Sequence, residues 1–420
     1  MQSLRGNLTR SSIGSFLRAF DLVFLVAFIW FMVQFLRYVF PPLFGTFQAT
    51  YGVSNTGTGV LFTLLMLGYS AMQFPAGWLA DRLDEVTVIL GGIGLFSAAA
   101  VFAFFAPTFA LLTIAAVGIG VGTGVHKTVA IPFLSRTYPD RPGLALGVMD
   151  TIGQFGGMIA PIIVVALLAS VLPWGSVFLL GAAVSVALGF ALYRSARRGT
   201  DDGHQSNGES DDGNTEGAND AVGNPHSESD GGQEAVSYVR IFADRKLLVF
   251  LAITVAFTFS WNGLSAFFPL FLADEKGLSP GVAGFAYSLL FAASVSQTVT
   301  GGMSDRLGRL NISLALFAVM VVGLLTLLLV DSVLLILLLT LVTGVGFHGF
   351  RPVRDSYLMV LIPDSIGGGT LGIVRTIMTV VGALAPAAIG VLSDQLGYVV
   401  AFGSIVATLT VGGLLIILLR

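Results

Sequence analysis

The sequence predicts an all-α membrane protein of twelve transmembrane helices, arranged as two pseudo-symmetric six-helix bundles. Three observations lead there. Of the 420 residues, 55% are hydrophobic and 11% charged, and the mean hydropathy is +0.87, more apolar surface than a water-soluble fold can hide. The apolar segments are continuous rather than alternating, and each approaches the roughly 20 residues a helix needs to cross about 30 Å of hydrocarbon. The second half of the chain also repeats motifs of the first in register.

The segments fall at 20–44, 56–76, 86–106, 109–135, 144–170 and 174–195, then at 246–272, 280–302, 311–330, 333–360, 369–392 and 397–419. Arg5, Arg10 and Arg18 precede the first, with no small-residue cleavage site after it, so it reads as an uncleaved helix. Residues 1–195 form the N-terminal bundle and 241–420 the C-terminal one. Between them, 196–240 reads as an acidic linker. From 199 to 236 there is no Lys or Arg, while Asp201, Asp202, Asp211, Asp212 and other acids recur, so the segment cannot build a core and is expected to be disordered. Arg82, Arg136, Arg141, Arg194, Arg306, Arg309 and Arg420 fall on one side and only Lys276 among the loops of the other. Basic loops stay inside, so both termini and the linker are expected in the cytoplasm of a multi-pass protein of the plasma or inner membrane.

The string GWLADRLDEV at 77–86 recurs as GGMSDRLGRL at 301–310, and GQFGGMIAP, ending at Pro161, recurs around Pro386 in VVGALAPAAIG. Pro139 and Asp140 likewise match Pro363 and Asp364. Two copies of a Gly-x-x-x-Asp-Arg-x-Gly-Arg-type loop, after the second and eighth helices, resemble the signature of the major facilitator superfamily, and the resemblance covers nearly the whole chain outside the linker. It implies a secondary transporter working by alternating access, with its site between the halves near the bilayer midplane. Gly77, Asp81 and Arg82 carry the first copy, and Gly301, Asp305, Arg306 and Arg309 the second; Asp84 stands where the family usually has Gly. Gly77 and Gly301 permit close backbone approach, and Asp81 and Asp305 suit the positive end of a neighbouring helix. Gly153, Gly157 and Pro161, with Gly382 and Pro386, resemble the family's fifth-helix motif, although ordinary close helix packing gives the same pattern. The stretch from Gly120 to Asp150 also resembles fosmidomycin-resistance-type exporters, with Lys127 where those tend to have Pro.

A charge at a helix centre costs about 2.5 to 3.5 kcal/mol on the insertion scale, so intramembrane charges mark water-filled cavities or ion pairs. Arg37, Lys127 and Arg351 are the candidate substrate-binding cations, Lys127 and Arg351 being repeat-related. Arg37 placed alone on the first helix resembles the organophosphate and organic-anion branches of the family; the alternative is a snorkelling residue at the outer end. For Arg351 the alternative is an internal pair with Asp355, four residues on. His126, His348 and Asp355 are the proton-coupling candidates. Across the interface that the family fold implies, Asp81 is expected to face Arg375 and Arg306 to face Asp150, latching the cytoplasmic side shut in the outward-facing state and separating when it opens inward.

With no cysteine, no clustered histidines and no phosphate-cradling loop, disulfides, thiol catalysis, cofactors, metal sites and ATP hydrolysis are not expected, nor is any nucleophile–base–acid arrangement of an enzyme. The expectation is a monomeric transporter, partnered by a small-molecule solute and the lipid bilayer and by no nucleic acid. The solute is a small organic anion moved with proton or solute coupling. The alternatives are a proton-coupled exporter of drugs or hydrophobic metabolites, lined by Trp30, Phe31, Trp261 and Phe267, and a non-transporting receptor of the same fold.

Overall fold

The computed structural model describes residues 11–206, 244–361 and 367–420, with side chains over 22–197, 244–361 and 372–420. Most of the linker, Pro363 and Asp364, and Arg5, Arg10 and Arg240 lie outside them. Twelve helices among the described residues are long and apolar enough to span: α1 (Leu22–Tyr51), α2 (Asn55–Ala80), α3 (Glu85–Phe104), α4 (Phe109–Thr137), α5 (Pro142–Leu168), α6 (Ser176–Arg197), α7 (Arg245–Glu275), α8 (Pro280–Leu307), α9 (Arg309–Leu329), α10 (Val333–Leu361), α11 (Gly372–Leu396) and α12 (Tyr398–Ile417). The helix of α6 runs on to Ser206, into the segment expected to be linker.

Helix starts follow local chemistry. Thr108 and Ser279 accept a backbone N–H of the first turn of α4 and α8 through their hydroxyls, and Asp244 does so for α7, each cap being worth about 1 kcal/mol. The two copies of the signature loop differ here. Gly308 opens α9 at φ 89°, a left-handed conformation that glycine tolerates. Asp84, its counterpart, has φ −78° and accepts from the N–H groups of Val86 and Thr87 at 2.9 and 3.1 Å. The aspartate replaces a glycine turn with an N-cap, which accounts for the departure from the family pattern.

Lipid offers no hydrophobic drive between helices, so close crossings need small residues. In α4, a Cβ on Gly120 or Gly124 would meet the α2 carbonyl of Leu65 at 2.1 Å or of Tyr69 at 2.4 Å, and one on Gly122 the α3 backbone N of Phe96 at 2.5 Å. Glycines two apart thus serve opposite neighbours, and α4 is wedged between α2 and α3. Across the halves, α2 packs on α11, α5 on α8, and α1 on α7.

These contacts between halves gather towards one end. Asn55 and Thr56, at the start of α2, donate backbone N–H groups to the Asp394 carboxylate of α11 at 3.1 and 2.7 Å. Thr63 Oγ1 accepts from the N–H of Ala387 at 3.0 Å, and the Tyr398 hydroxyl lies 3.0 Å from Asn55 Oδ1. Phe44 packs on Phe267 and Tyr38 on Phe291. We call this end the sealed face. On the opposite face, which carries the signature loops, no ion pair or hydrogen bond joins the halves among the described residues.

Candidate functional site

A cavity of about 400 Å³ lies between the halves. Helix periodicity builds its walls: Trp30, Gln34, Arg37 and Tyr38 form one stripe of α1, Phe257, Thr258, Trp261 and Asn262 one of α7, and Arg351, Pro352, Arg354 and Asp355 a turn of α10. Tyr69 of α2, Lys127 of α4, Asp150 and Gln154 of α5, Gln297 of α8 and Thr379 of α11 complete it. At the bottom Gln34 and Arg37 are 4% and 8% exposed; towards the signature-loop face the side chains of Asp150 and Asp355 are each 46% exposed. The mouth therefore opens on the signature-loop face.

Two of the four cations are neutralised by neighbours. Lys127 Nζ lies 2.9 Å from Asp150 Oδ1, and Arg354 lies 2.8 Å from Asp355 Oδ1 through both Nε and a terminal nitrogen. Asp355 thus pairs with the adjacent Arg354 rather than with Arg351. Arg37 and Arg351 have no ion pair among the described residues. The Arg37 guanidinium lies over the Tyr69 ring, 4.2 Å from its centre, its Nε without a hydrogen-bond partner, and that of Arg351 over Trp261 at 4.8 Å. Arg37 is buried in the cavity floor, so it does not snorkel to the outer end.

The remaining expected residues are placed as follows. His126 and His348 do not line the cavity. His126 is buried beside Trp30, its Nε2 donating to the Val26 carbonyl at 3.0 Å, and His348 is buried against Trp261 and 3.3 Å from Gln297. Of the expected aromatic lining, Trp30 and Trp261 face the cavity, whereas Phe267 is buried in the seal and Phe31 stacks on Phe35. Asp81 and Arg375 form no ion pair, and neither do Arg306 and Asp150, which is held by Lys127. Arg82 stacks on Trp78 at 3.8 Å. Asp305 lies 3.9 Å from Arg309, whose Nε donates to Ser356 at 2.7 Å. A Cβ on Gly153 would strike Trp30, on Gly157 Phe291, and on Gly382 Thr258, so the fifth-helix motif and its repeat make room for the cavity and interface residues. Gly77 and Gly301 are less crowded, with Thr128 and Pro352 at 3.5 and 3.7 Å from such an atom, and Pro161 and Pro386 lie within α5 and α11. Sequence reasoning missed Gln34, Tyr38, Tyr69, Gln154, Asn262 and Gln297. A signal existed for some of them, since Trp30, Gln34 and Tyr38, and likewise Asp150 and Gln154, recur at intervals of four along an apolar helix.

The profile of the Major Facilitator Superfamily matches residues 26–294 and 249–420. The chain belongs to the major facilitator superfamily. Among relatives of this transporter, the probable sulfoacetate transporter SauU of Cupriavidus necator is 26% identical, over 82% of this chain and 80% of its own length. The gentisate transporter of Corynebacterium glutamicum is 22% identical, over 86% and 79%. Its fold is similar to a bacterial homolog of the human lysosomal transporter Spinster in an inward-facing, occupied conformation. There the TM-score is 0.75 at 14% identity, covering 94% of this chain and 96% of that one. This facilitator is therefore a multi-pass transporter, of a family that is not enzymatic.

Proposed function

We propose that the protein moves a small organic anion by alternating access, with Arg37 and Arg351 as its binding residues. The observation that carries this reading is the pair of guanidinium groups without a carboxylate partner, one from each half, in a cavity between the halves. Uncompensated charge away from water is costly, and an anionic ligand relieves it. The names of the sulfoacetate and gentisate transporters support the same class. Drug export is less well supported, because the rings of Tyr69 and Trp261 already carry guanidinium groups. By the excess of basic residues, the open mouth is the cytoplasmic one; a C-terminal reporter active only in the cytoplasm checks that orientation. Coupling protons would be taken up by Asp150 and Asp355, which reach the mouth, rather than by the two enclosed histidines. A pH electrode following anion entry into liposomes tests this, and coupling unchanged in both Asp→Asn variants overturns it.

Charge-assisted hydrogen bonds contribute about 1.5 to 3 kcal/mol each, so Arg37→Gln and Arg351→Gln should each weaken the transported anion at least about tenfold. Counterflow in proteoliposomes measures this. Normal anion transport by both variants, or a neutral or cationic solute as the one carried, refutes the reading. Lys127 should behave differently. Asp150→Asn frees its ammonium group and should tighten anion binding by up to about fivefold, the worth of a half-exposed ion pair; titration of the purified variant reads the change, and weaker binding contradicts the assignment.

A further inference from the structure

We infer that the ligand of this cavity is a compact aliphatic dianion, with one acidic group held at Arg37 and the other at Arg351. This rests on the anion reading above and adds to it the number of charges and the kind of skeleton.

The charge comes from what the cavity leaves unbalanced. Its lining holds four cations and two acids, Asp150 and Asp355. Both acids are engaged, one by Lys127 and one by Arg354. Arg37 and Arg351 remain, and they come from opposite halves. A monoanion bound at either would leave the other guanidinium without an anionic partner, whereas a ligand with an acid at each end satisfies both.

The skeleton comes from how the two groups are held. Each lies over an aromatic ring, Arg37 on Tyr69 at 4.2 Å and Arg351 on Trp261 at 4.8 Å. Neither guanidinium spends its N–H groups on a carboxylate, which leaves each with a donor fork that fits carboxylate, sulfonate or phosphonate oxygens. The rings are used by the protein's own cations, and Trp30 is flanked by His126 and Lys127. Little ring surface is left to stack a planar aromatic acid. Tyr38 and Trp261 are both packed edge-on with Phe291, and a volume of about 400 Å³ is near the small end of ligand pockets, roughly 300 to 1,000 Å³. A ligand bridging the halves would also draw them together over the open mouth, tying closure to the second acidic group.

The test uses the full-length protein in nanodiscs and titration calorimetry with succinate, sulfoacetate, the size-matched monoanion succinamate, and gentisate. Succinate or sulfoacetate should bind at least about tenfold more tightly than succinamate, and more tightly than gentisate. Arg37→Gln and Arg351→Gln should each bring dianion affinity down to that of succinamate, while Lys276→Gln, far from the cavity, keeps the preference. Because either glutamine variant could fold poorly, the comparison of succinate with succinamate in the unaltered protein is decisive alone. Equal affinities there, tighter binding of gentisate, or no binding of either dianion overturns the inference. Equal binding of succinate and succinamate leaves the anion reading standing; transport of a neutral or cationic solute in place of anions removes both.

Discussion

Valine in place of Gly156 is expected to abolish the folded transporter. A Cβ at this position would lie 2.1 Å from the carbonyl oxygen of Phe31 and 3.0 Å from the backbone nitrogen of Phe35. Both belong to the interior of α1, so no side-chain rotamer can give way, and α1 and α5 would have to separate along their crossing. Overpacking in a close-packed interior costs typically 1 to 3 kcal/mol, and more where backbone must move. The damage also reaches the site, because Gly153, on the same helix, leaves space for Trp30 with a clearance that no Cβ could share. Size-exclusion chromatography of the detergent-extracted variant should show aggregated or absent protein. Gly147→Val is the control: it lies on the same helix, with nothing within 4 Å of its would-be Cβ. A Gly156→Val protein that elutes and melts like the parent would show that the α1–α5 crossing is not held by backbone contact.

Asp394→Ala should loosen the sealed face. The carboxylate of α11 caps the first turn of α2 across the interface, accepting from the N–H groups of Asn55 and Thr56, where the helix dipole adds to the attraction. The group is exposed, so its contribution is about 0.3 to 1 kcal/mol, enough to move the balance between open and closed forms by up to roughly fivefold. Asp394→Asn keeps an acceptor and should do less. With no cysteine in the chain, spin labels can be placed at Thr50→Cys and Gln395→Cys alone, one on each half at this face. Double electron–electron resonance on the Asp394→Ala background should show a second, longer distance population. An unchanged distance distribution would mean that the Phe44–Phe267 and Tyr38–Phe291 contacts hold the face without the carboxylate.

The fold was legible in the sequence because lipid imposes a single strong rule, uninterrupted apolar length, and the repeat then fixed the six-plus-six division. Arg37, Lys127 and Arg351 were legible for the converse reason: a charge in such a segment is expensive, so it stands out. Their pairing was not. Whether Asp355 meets Arg351 one turn back or Arg354 next to it is a choice of rotamer, and Lys127 finds Asp150 on another helix, which no spacing along one helix reveals. Gln34, Gln154 and Gln297 cost less in an apolar segment than a charge and so left a weaker mark. The histidines stand out in the sequence as titratable groups, but that they pack behind Trp30 and Trp261 rather than line the cavity depends on helix rotation, which the sequence does not reveal. Asp394 was missed because an acid near a helix end reads as an ordinary solvated residue until the facing helix terminus is known.

The two unbalanced guanidinium groups also make the unloaded carrier an electrical object. In the proposed alternating-access cycle, Arg37 and Arg351 would change their position in the membrane field, and a full crossing of one charge is worth about 2.3 kcal/mol per 100 mV. An interior-negative potential would therefore hold the empty protein with its mouth towards the cytoplasm, while a bound dianion would cancel most of that bias. Membrane voltage would then act chiefly on the return of the empty carrier, and the potential across the membrane would set how often the cycle can start again.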